Sequence, residues 1–435
     1  MHTLKKNRND LSFLTVPMPG AKTVTVLVLI GTGAKYEDKR ESGVSHFLEH
    51  LFFKGTKKYP NPMALSSAID AIGGESNAFT SKEFTGYYMK VASAKAETAL
   101  AMVAEMLLNS KFDAAEMAKE RGVIIEEINM YEDNPMMSIE DVLEECLYGD
   151  TPAGRETSGS KETVSALTRE DIVRYFSAQY QPHNTIVCLA GNFSKSFAAK
   201  AEKTFEAFAS KHQEKNFKEK AAVAVSQKAP QLKIKFKQTD QAHFSLGVHA
   251  LPHGHPDETI LKVMAVILGG SMSSRLFNEI REKRGLAYYV RTSAESYTDC
   301  GYLTTQGGVR VEAMKEVIKV TLAEYAKMAK TPVPAKELAR VKDLIKGRIP
   351  LALESSDDLG EWYARQAVMK LTQERTGQVS RAKLYSPEEF FKKIDAVTAA
   401  DIKRVAKSVF VADKLNLAII GPYKNEAEFK KLLKF

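Results

Sequence analysis

Two stretches of this chain are copies of one another, and that constrains its fold more than any other feature. Thr168, Asp171, Ile172, Arg174 and Gly191 recur as Thr398, Asp401, Ile402, Arg404 and Gly421, each 230 positions further on and with no gap. Each copy reads as a Thr-x-x-Asp helix start, an amphipathic helix and a short apolar strand closed by glycine. Both halves open with alternating strands, Thr23 to Val28 in one and Leu232 to Lys237 in the other, and a second strand near His243 to Val248 follows the latter. Further along, Ala118 to Ile128 matches Ala339 to Ile349 in apolar spacing. The run from Lys211 to Lys220 is charged without a clean apolar face and reads as a solvated linker. At 435 residues the chain is too long for one ordinary core. It is expected to form two related α/β domains, 1–212 and 230–435, joined by a charged linker over 213–229.

Composition narrows the function classes. With 44% hydrophobic and 27% charged residues the chain reads as a soluble globular protein. Its longest apolar stretch, Val24 to Ile30, is far too short to span a membrane, so no membrane association is expected. Met1 to Asp10 is basic but no apolar core follows, so it does not read as a secretory signal. A cytoplasmic location is expected, a chain already trimmed of a leader being the alternative. Cys146, Cys188 and Cys300 fit neither a disulfide framework nor a CxxC knuckle, which points to a reducing compartment and buried thiols. The net charge of +8 comes from lysines spread along the chain. There is no Arg-rich tract with interleaved aromatics, so nucleic acid is not an expected partner.

The chemistry concentrates at His46-Phe47-Leu48-Glu49-His50. On a helix, positions i and i+4 lie one above the other, so both imidazoles can converge on one ion. Two neutral nitrogens with a nearby carboxylate suit a catalytic zinc site, provided a third ligand arrives from elsewhere. The order His-x-x-Glu-His reverses the commoner zinc-peptidase order. Two solvated histidines on a partly exposed helix are the plainer alternative.

The segment Glu116 to Met130 offers the missing acid through Glu116, Glu120, Glu126 and Glu127. Residues seven apart are nearly two helical turns apart, so Glu120 and Glu127 share a face while Glu126 points elsewhere. An acidic stripe beside the apolar residues 122–125 is costly to bury unless a cation or donor compensates it. One glutamate could ligate and the other brace a histidine. A surface helix with solvated glutamates is the bland alternative, and the repeat weighs against it. The second half has Val341 and Arg348 at the matching positions, and no second His-x-x-Glu-His.

These segments together resemble the M16 (pitrilysin-type, inverzincin) zinc peptidases, in particular the short two-domain branch that includes mitochondrial processing peptidase. The resemblance covers essentially the whole chain. His46 to His50 match the family motif residue for residue, and the family's third ligand, after 76 intervening residues, falls on Glu127, with its supporting acid seven earlier at Glu120. The resemblance implies an α+β fold of two homologous α/β sandwich domains with mainly antiparallel sheets. It implies that His46, His50 and Glu127 hold Zn²⁺, that Glu49 acts as general base and that Glu120 orients the site. Gly73 to Thr80 resembles the family's edge strand, to which substrate adds as an extra strand, with Asn77 and Ala78 as substrate-binding positions. Gly269 to Tyr288 resembles its Arg/Tyr element, hence Arg281 and Tyr288 on the substrate backbone and developing oxyanion. Arg284, the competing arginine, is assigned a solvated role at a helix end. The family builds a closed chamber from four homologous domains. Two domains here therefore imply a homodimer whose active site is completed by the second subunit, acting on peptides. The glycine-rich loop of the processing peptidase's noncatalytic subunit is not evident.

Rival readings remain open in the residues. His249, His253 and His255 form a second cluster, which Pro252 and Pro256 make a loop, read as a solvated turn or an incidental metal binder. A noncatalytic scaffold or binding subunit with the peptidase fold would not need Glu49 beside its ion. A hetero-oligomeric peptidase subunit would be expected to split the zinc motif and the Arg/Tyr element between chains, and a regulatory metal sensor has no use for the second of these.

Overall fold

The computed structural model describes residues 2–211, 217–377 and 383–435. Two compact units emerge, Met1–Ile128, Glu156–Ala221 and Ile349–Tyr385 in one, and Asn129–Arg155, Ala222–Arg348 and Ser386–Phe435 in the other.

The first unit is built on a six-stranded sheet of β1 (Thr3–Lys6), β2 (Ser12–Pro17), β3 (Thr23–Ile30), β4 (Glu75–Thr80), β5 (Thr85–Ala92) and β6 (Thr185–Gly191), in the order β1-β2-β6-β3-β5-β4. The second has β7 (Gln231–Phe236), β8 (Gln241–His249), β9 (Ala287–Ser296), β10 (Gly301–Arg310) and β11 (Leu415–Gly421), in the order β7-β11-β8-β10-β9. Leaving out β1, the two orders are identical. In each, one pair is parallel, β2 with β6 and β7 with β11, and the remaining pairs are antiparallel. The repeated segments thus occupy equivalent places: Thr168 and Asp171 close a capping box on the helix Arg169–Gln179, and Thr398 and Asp401 close the same box on Ala399–Val409.

Both faces of each sheet are covered, which is why β3 is buried along nearly its whole length instead of alternating. Val24, Val26 and Val28 face a core shared with the helices Val44–Leu51 and Ala96–Asn109. Leu27 and Leu29 face the other way, against Tyr363, Ala364, Ala367 and Val368 of the helix Ser356–Arg375. Each such leucine contributes roughly 1.5–3 kcal/mol by leaving water. The buried Ser356 hydroxyl pins this helix, 2.8 Å from Thr25 Oγ1 and 2.9 Å from Thr23 Oγ1. In the second unit the corresponding cover is the helix Pro135–Tyr148, whose Ile139, Val142 and Leu143 pack on β10 and β11 residues. The covering helix of each sheet comes from the other half of the chain.

Of the charged run 211–220, residues 212–216 lie outside the described residues, as does part of the expected linker 213–229. Of Phe217 to Lys220, only Lys220 is buried; Phe217 and Glu219 are half-buried and Lys218 is exposed. Lys220 is buried 3.4 Å from Glu83, Lys218 pairs with Asp38, and Glu219 pairs with Arg375. A charge run shows where charges are, not whether partners await them.

Candidate metal centre

The helix Val44–Leu51 is amphipathic in the strict sense. Val44, Phe47, Leu48 and Leu51 are at most 1% exposed and fix one face in the core. His46, Glu49 and His50 are thereby forced onto the opposite face. The two imidazole centroids are 4.7 Å apart, with Nε2 to Nε2 at 3.3 Å.

The helix Ala114–Asp133 crosses this face and turns two glutamates toward it, because Met117, Ile124 and Ile128 bury its apolar side. Glu127 Oε2 lies 3.3 Å from His50 Nε2 and 3.6 Å from His46 Nε2. Glu120 Oε1 lies 2.8 Å from His50 Nδ1, and its other oxygen lies 2.7 Å from Lys54 Nζ. Glu126 is exposed. One ligand atom each from His46, His50 and Glu127 fits within 4.8 Å of the others.

This donor set suits a divalent cation. With Nδ1–H of His50 donating to Glu120, its Nε2 faces Glu127 Oε2 and His46 Nε2, a gathering of acceptors that either a proton on Nε2 or a divalent cation satisfies. Two histidines and a glutamate form one of the donor sets of catalytic zinc. The electrostatics follow the same pattern. Burial, aided by the His50 charge, drives His46 down to about 4, so it stays neutral and ligand-ready at pH 7. Burial also opposes protonation of His50, but its hydrogen bonds to Glu120 and Glu127 outweigh this and hold it up at about 9 without a metal. Glu120 is desolvated too, yet His50 and Lys54 keep it below the usual carboxylate range. Burial raises the Glu49 carboxyl above its ordinary value despite a hydrogen bond from Thr80.

Thr80 and Lys54 were not singled out in the sequence. Thr80 donates its hydroxyl to Glu49 Oε2 from β4, the strand that holds Asn77 and Ala78. Its position two after Ala78, on the same face, was the available signal; Lys54, four after His50, had the helical spacing to be found. Among the described residues β4 pairs only with β5, through Asn77 with Tyr88 and Ala78 with Tyr87, and is a sheet edge.

In the second unit, Arg281 sits in the π-helical turn Phe277–Glu282 and Tyr288 in β9, the edge strand equivalent to β4. The guanidinium lies 5.2 Å from the Tyr288 ring centre and 4.8 Å from that of Phe277, and Tyr288 is 78% exposed. Such turns recur at functional sites. Arg284 is occupied at the turn's end, donating to Glu279 O and Oε2. The second histidine cluster is not a solvated loop throughout. His249 is buried at the end of β8, 3.0 Å from Gln227, and His253 meets Glu258 at 3.3 Å. Strand pairing with β10 carried the β8 ladder further than the prolines suggested.

One copy of a duplicated α/β fold thus brings together two histidines and a glutamate that could hold a metal ion, with a further acid on the helix of the histidines. Residues 13–161 match the family model described as insulinase (peptidase family M16), and residues 166–345 match the one described as the peptidase M16 inactive domain. An uncharacterized zinc protease of Bacillus subtilis, YmxG, is 34% identical over 96% of this chain and 98% of its own length. An uncharacterized zinc protease of Streptomyces coelicolor is 31% identical over 96% and 88%. A protease from Helicobacter pylori shares the fold with a TM-score of 0.83 at 24% identity, over 97% of this chain and 99% of its own. The chain belongs to the M16 peptidase family. Among the described residues no helix is long and apolar enough to cross a membrane.

Proposed function

We propose that this protein is a zinc-dependent endopeptidase acting on peptides or unfolded segments. The observation that carries this reading is the convergence of His46, His50 and Glu127 within 4.8 Å, with Glu49 on the same helix face. The names of the bacterial relatives, zinc proteases, point the same way. When bound, zinc would polarise a peptide carbonyl and make a water acidic near neutral pH. Glu49 takes the proton of the attacking water on its carboxylate and passes it to the nitrogen of the leaving amine. Glu120 holds the His50 ring through Nδ1. The substrate backbone adds to the free edge of β4 beside Asn77 and Ala78, so recognition is mainly main-chain and tolerant of sequence.

The family resemblance further supports a dimer with an enclosed chamber. In this reading Arg281 and Tyr288 of the second subunit act on the substrate backbone and the developing oxyanion. Both elements are in one chain, which favours a homodimer. The duplicated halves are 1–212 and 230–435. Hydrolysis of a quenched peptide, with Glu49→Gln as control, tests the activity. Metal binding without cleavage in both proteins would favour a scaffold or sensor. Mixing Glu49→Gln subunits with Arg281→Ala/Tyr288→Ala subunits tests the sharing. Each is expected to be inactive alone, and each mixed dimer should regain one complete site. No recovery despite proven subunit exchange would contradict completion of the site by the second subunit.

A further inference from the structure

The helix that carries the metal motif has an unusual start. Its first backbone N–H groups have no partner within the helix and need a cap. The capping position is Gly43, which has no side chain to offer and tolerates none. Its φ is +93, and a Cβ there would meet Ser158 O at 2.5 Å. The usual Ser, Thr or Asp cap is therefore sterically barred.

The cap comes instead from Glu37, six residues upstream and 2% exposed. Its Oε2 accepts from Gly43 N–H at 2.7 Å and its Oε1 from Ser45 N–H at 2.8 Å. A carboxylate at a helix start also matches the positive end of the helix dipole. Burial pushes the Glu37 carboxyl up to about 7 against these hydrogen bonds. The Ser45 hydroxyl extends the network, 2.8 Å from Tyr175 OH, which is 2.9 Å from Thr32 Oγ1.

His46 follows directly. Whereas His50 is braced by Glu120, the Nδ1 of His46 is buried with no hydrogen-bond partner among the described residues. Its aim is set by where the backbone at residue 45 is held. We propose that Glu37 is a positioning residue for the metal centre, clamping the first turn of the helix so that His46 points at the ion. This rests on the zinc reading above and adds to it the group that orients the unbraced ligand.

The test reads zinc affinity by chelator competition and backbone exchange by hydrogen–deuterium mass spectrometry, neither of which needs substrate. Glu37→Gln keeps the shape but turns an NH₂ toward a backbone N–H. Its zinc affinity is expected to fall about tenfold or more, the size seen when a ligand loses its outer support, with faster exchange over 43–47. Tyr325→Phe, which removes a buried hydroxyl in the other unit bonded to Thr305 and Leu246, should lower the melting temperature and leave zinc affinity unchanged. If Glu37→Gln does not fold, Tyr175→Phe is read instead, with a smaller loss of affinity, about threefold, as for one weakened hydrogen bond. Wild-type affinity in Glu37→Gln, or in Tyr175→Phe where Glu37→Gln does not fold, would overturn the proposal, even if that variant is less stable. A wild-type chain that binds zinc but cleaves nothing would overturn the peptidase reading alone and leave Glu37 in its role.

Discussion

Glu120 and Glu127 hold opposite edges of one imidazole: Glu120 Oε1 is 2.8 Å from Nδ1 of His50, and Glu127 Oε2 is 3.3 Å from its Nε2. Seven residues on one helix face thus separate the proposed ligand Glu127 from the glutamate hydrogen-bonded to His50. Glu120→Gln removes the charge that Lys54 and His50 share, and zinc affinity is predicted to fall about 10- to 100-fold. Glu49→Gln should bind zinc as the wild type does and lose turnover. Chelator competition separates the two. An unchanged affinity in Glu120→Gln would mean that the brace does not orient the ligand.

Thr80 ties the edge strand β4 to Glu49 through one hydroxyl. Thr80→Val keeps the shape and removes that donor. Its kcat is predicted to fall about tenfold, the equivalent of about one hydrogen bond, with KM and zinc content unchanged. Thr80→Ser should restore most of it. A rise in KM at constant kcat would assign Thr80 to substrate binding instead.

Just beyond the metal-motif helix, Phe52 is fully buried, with the rings of Tyr87, Phe112, Phe176 and Tyr180 between 4.7 and 5.8 Å from it. Phe52→Ala is predicted to cost about 3–5 kcal/mol in urea unfolding, through lost burial and the cavity left behind. A loss below about 1 kcal/mol would show that the surrounding rings collapse into the space.

Glu258 provides a pH test in the second unit. It is buried, and accepts from Gly254 N–H at 2.8 Å, Lys262 Nζ at 2.8 Å and His253 Nδ1 at 3.3 Å. Burial alone would raise its carboxyl, but the His253 hydrogen bond and the Lys262 charge hold it well below its ordinary value of 4.5. The unfolded chain therefore takes up the proton first as pH falls, and the stabilisation is fully present above 4.5 and lost below it. Glu258→Gln is predicted to cost about 2–3 kcal/mol at pH 7 and progressively less as the solution is acidified. A pH-independent difference in urea midpoints would contradict this.

Periodic and local features of the chain were readable without coordinates. Thr168 with Asp171 and Thr398 with Asp401 signal the same capped helix because capping is a three-residue affair, and both boxes close. The spacings His46 to His50 and Glu120 to Glu127 work for the same reason, since a helix converts sequence distance directly into a shared face. What stayed hidden depends on which surfaces meet. An amphipathic pattern shows that Pro135–Tyr148 and Ser356–Arg375 need cover, but not that each lies on a sheet built mainly from the other half of the chain. The burial of both faces of β3 follows from that exchange. Glu37 reaches the metal-motif helix from outside it through two hydrogen bonds that leave no periodic trace, and the place of Thr80 on the Ala78 face of β4 does not by itself reveal that it meets Glu49. The prolines after His249 signal a loop, whereas the pairing of β8 with β10 that places His249 in a strand depends on residues more than fifty positions away.

The most direct measurement is anomalous diffraction at the zinc edge from crystals of the full chain grown with equimolar zinc. The account predicts one strong peak per chain, bonded at about 2.0–2.2 Å by Nε2 of His46, Nε2 of His50 and a carboxylate oxygen of Glu127, with Glu49 beside it and not ligating. A peak placed elsewhere, such as beside His253 and Glu258, or a Glu127 carboxylate turned away from both imidazoles, would contradict it.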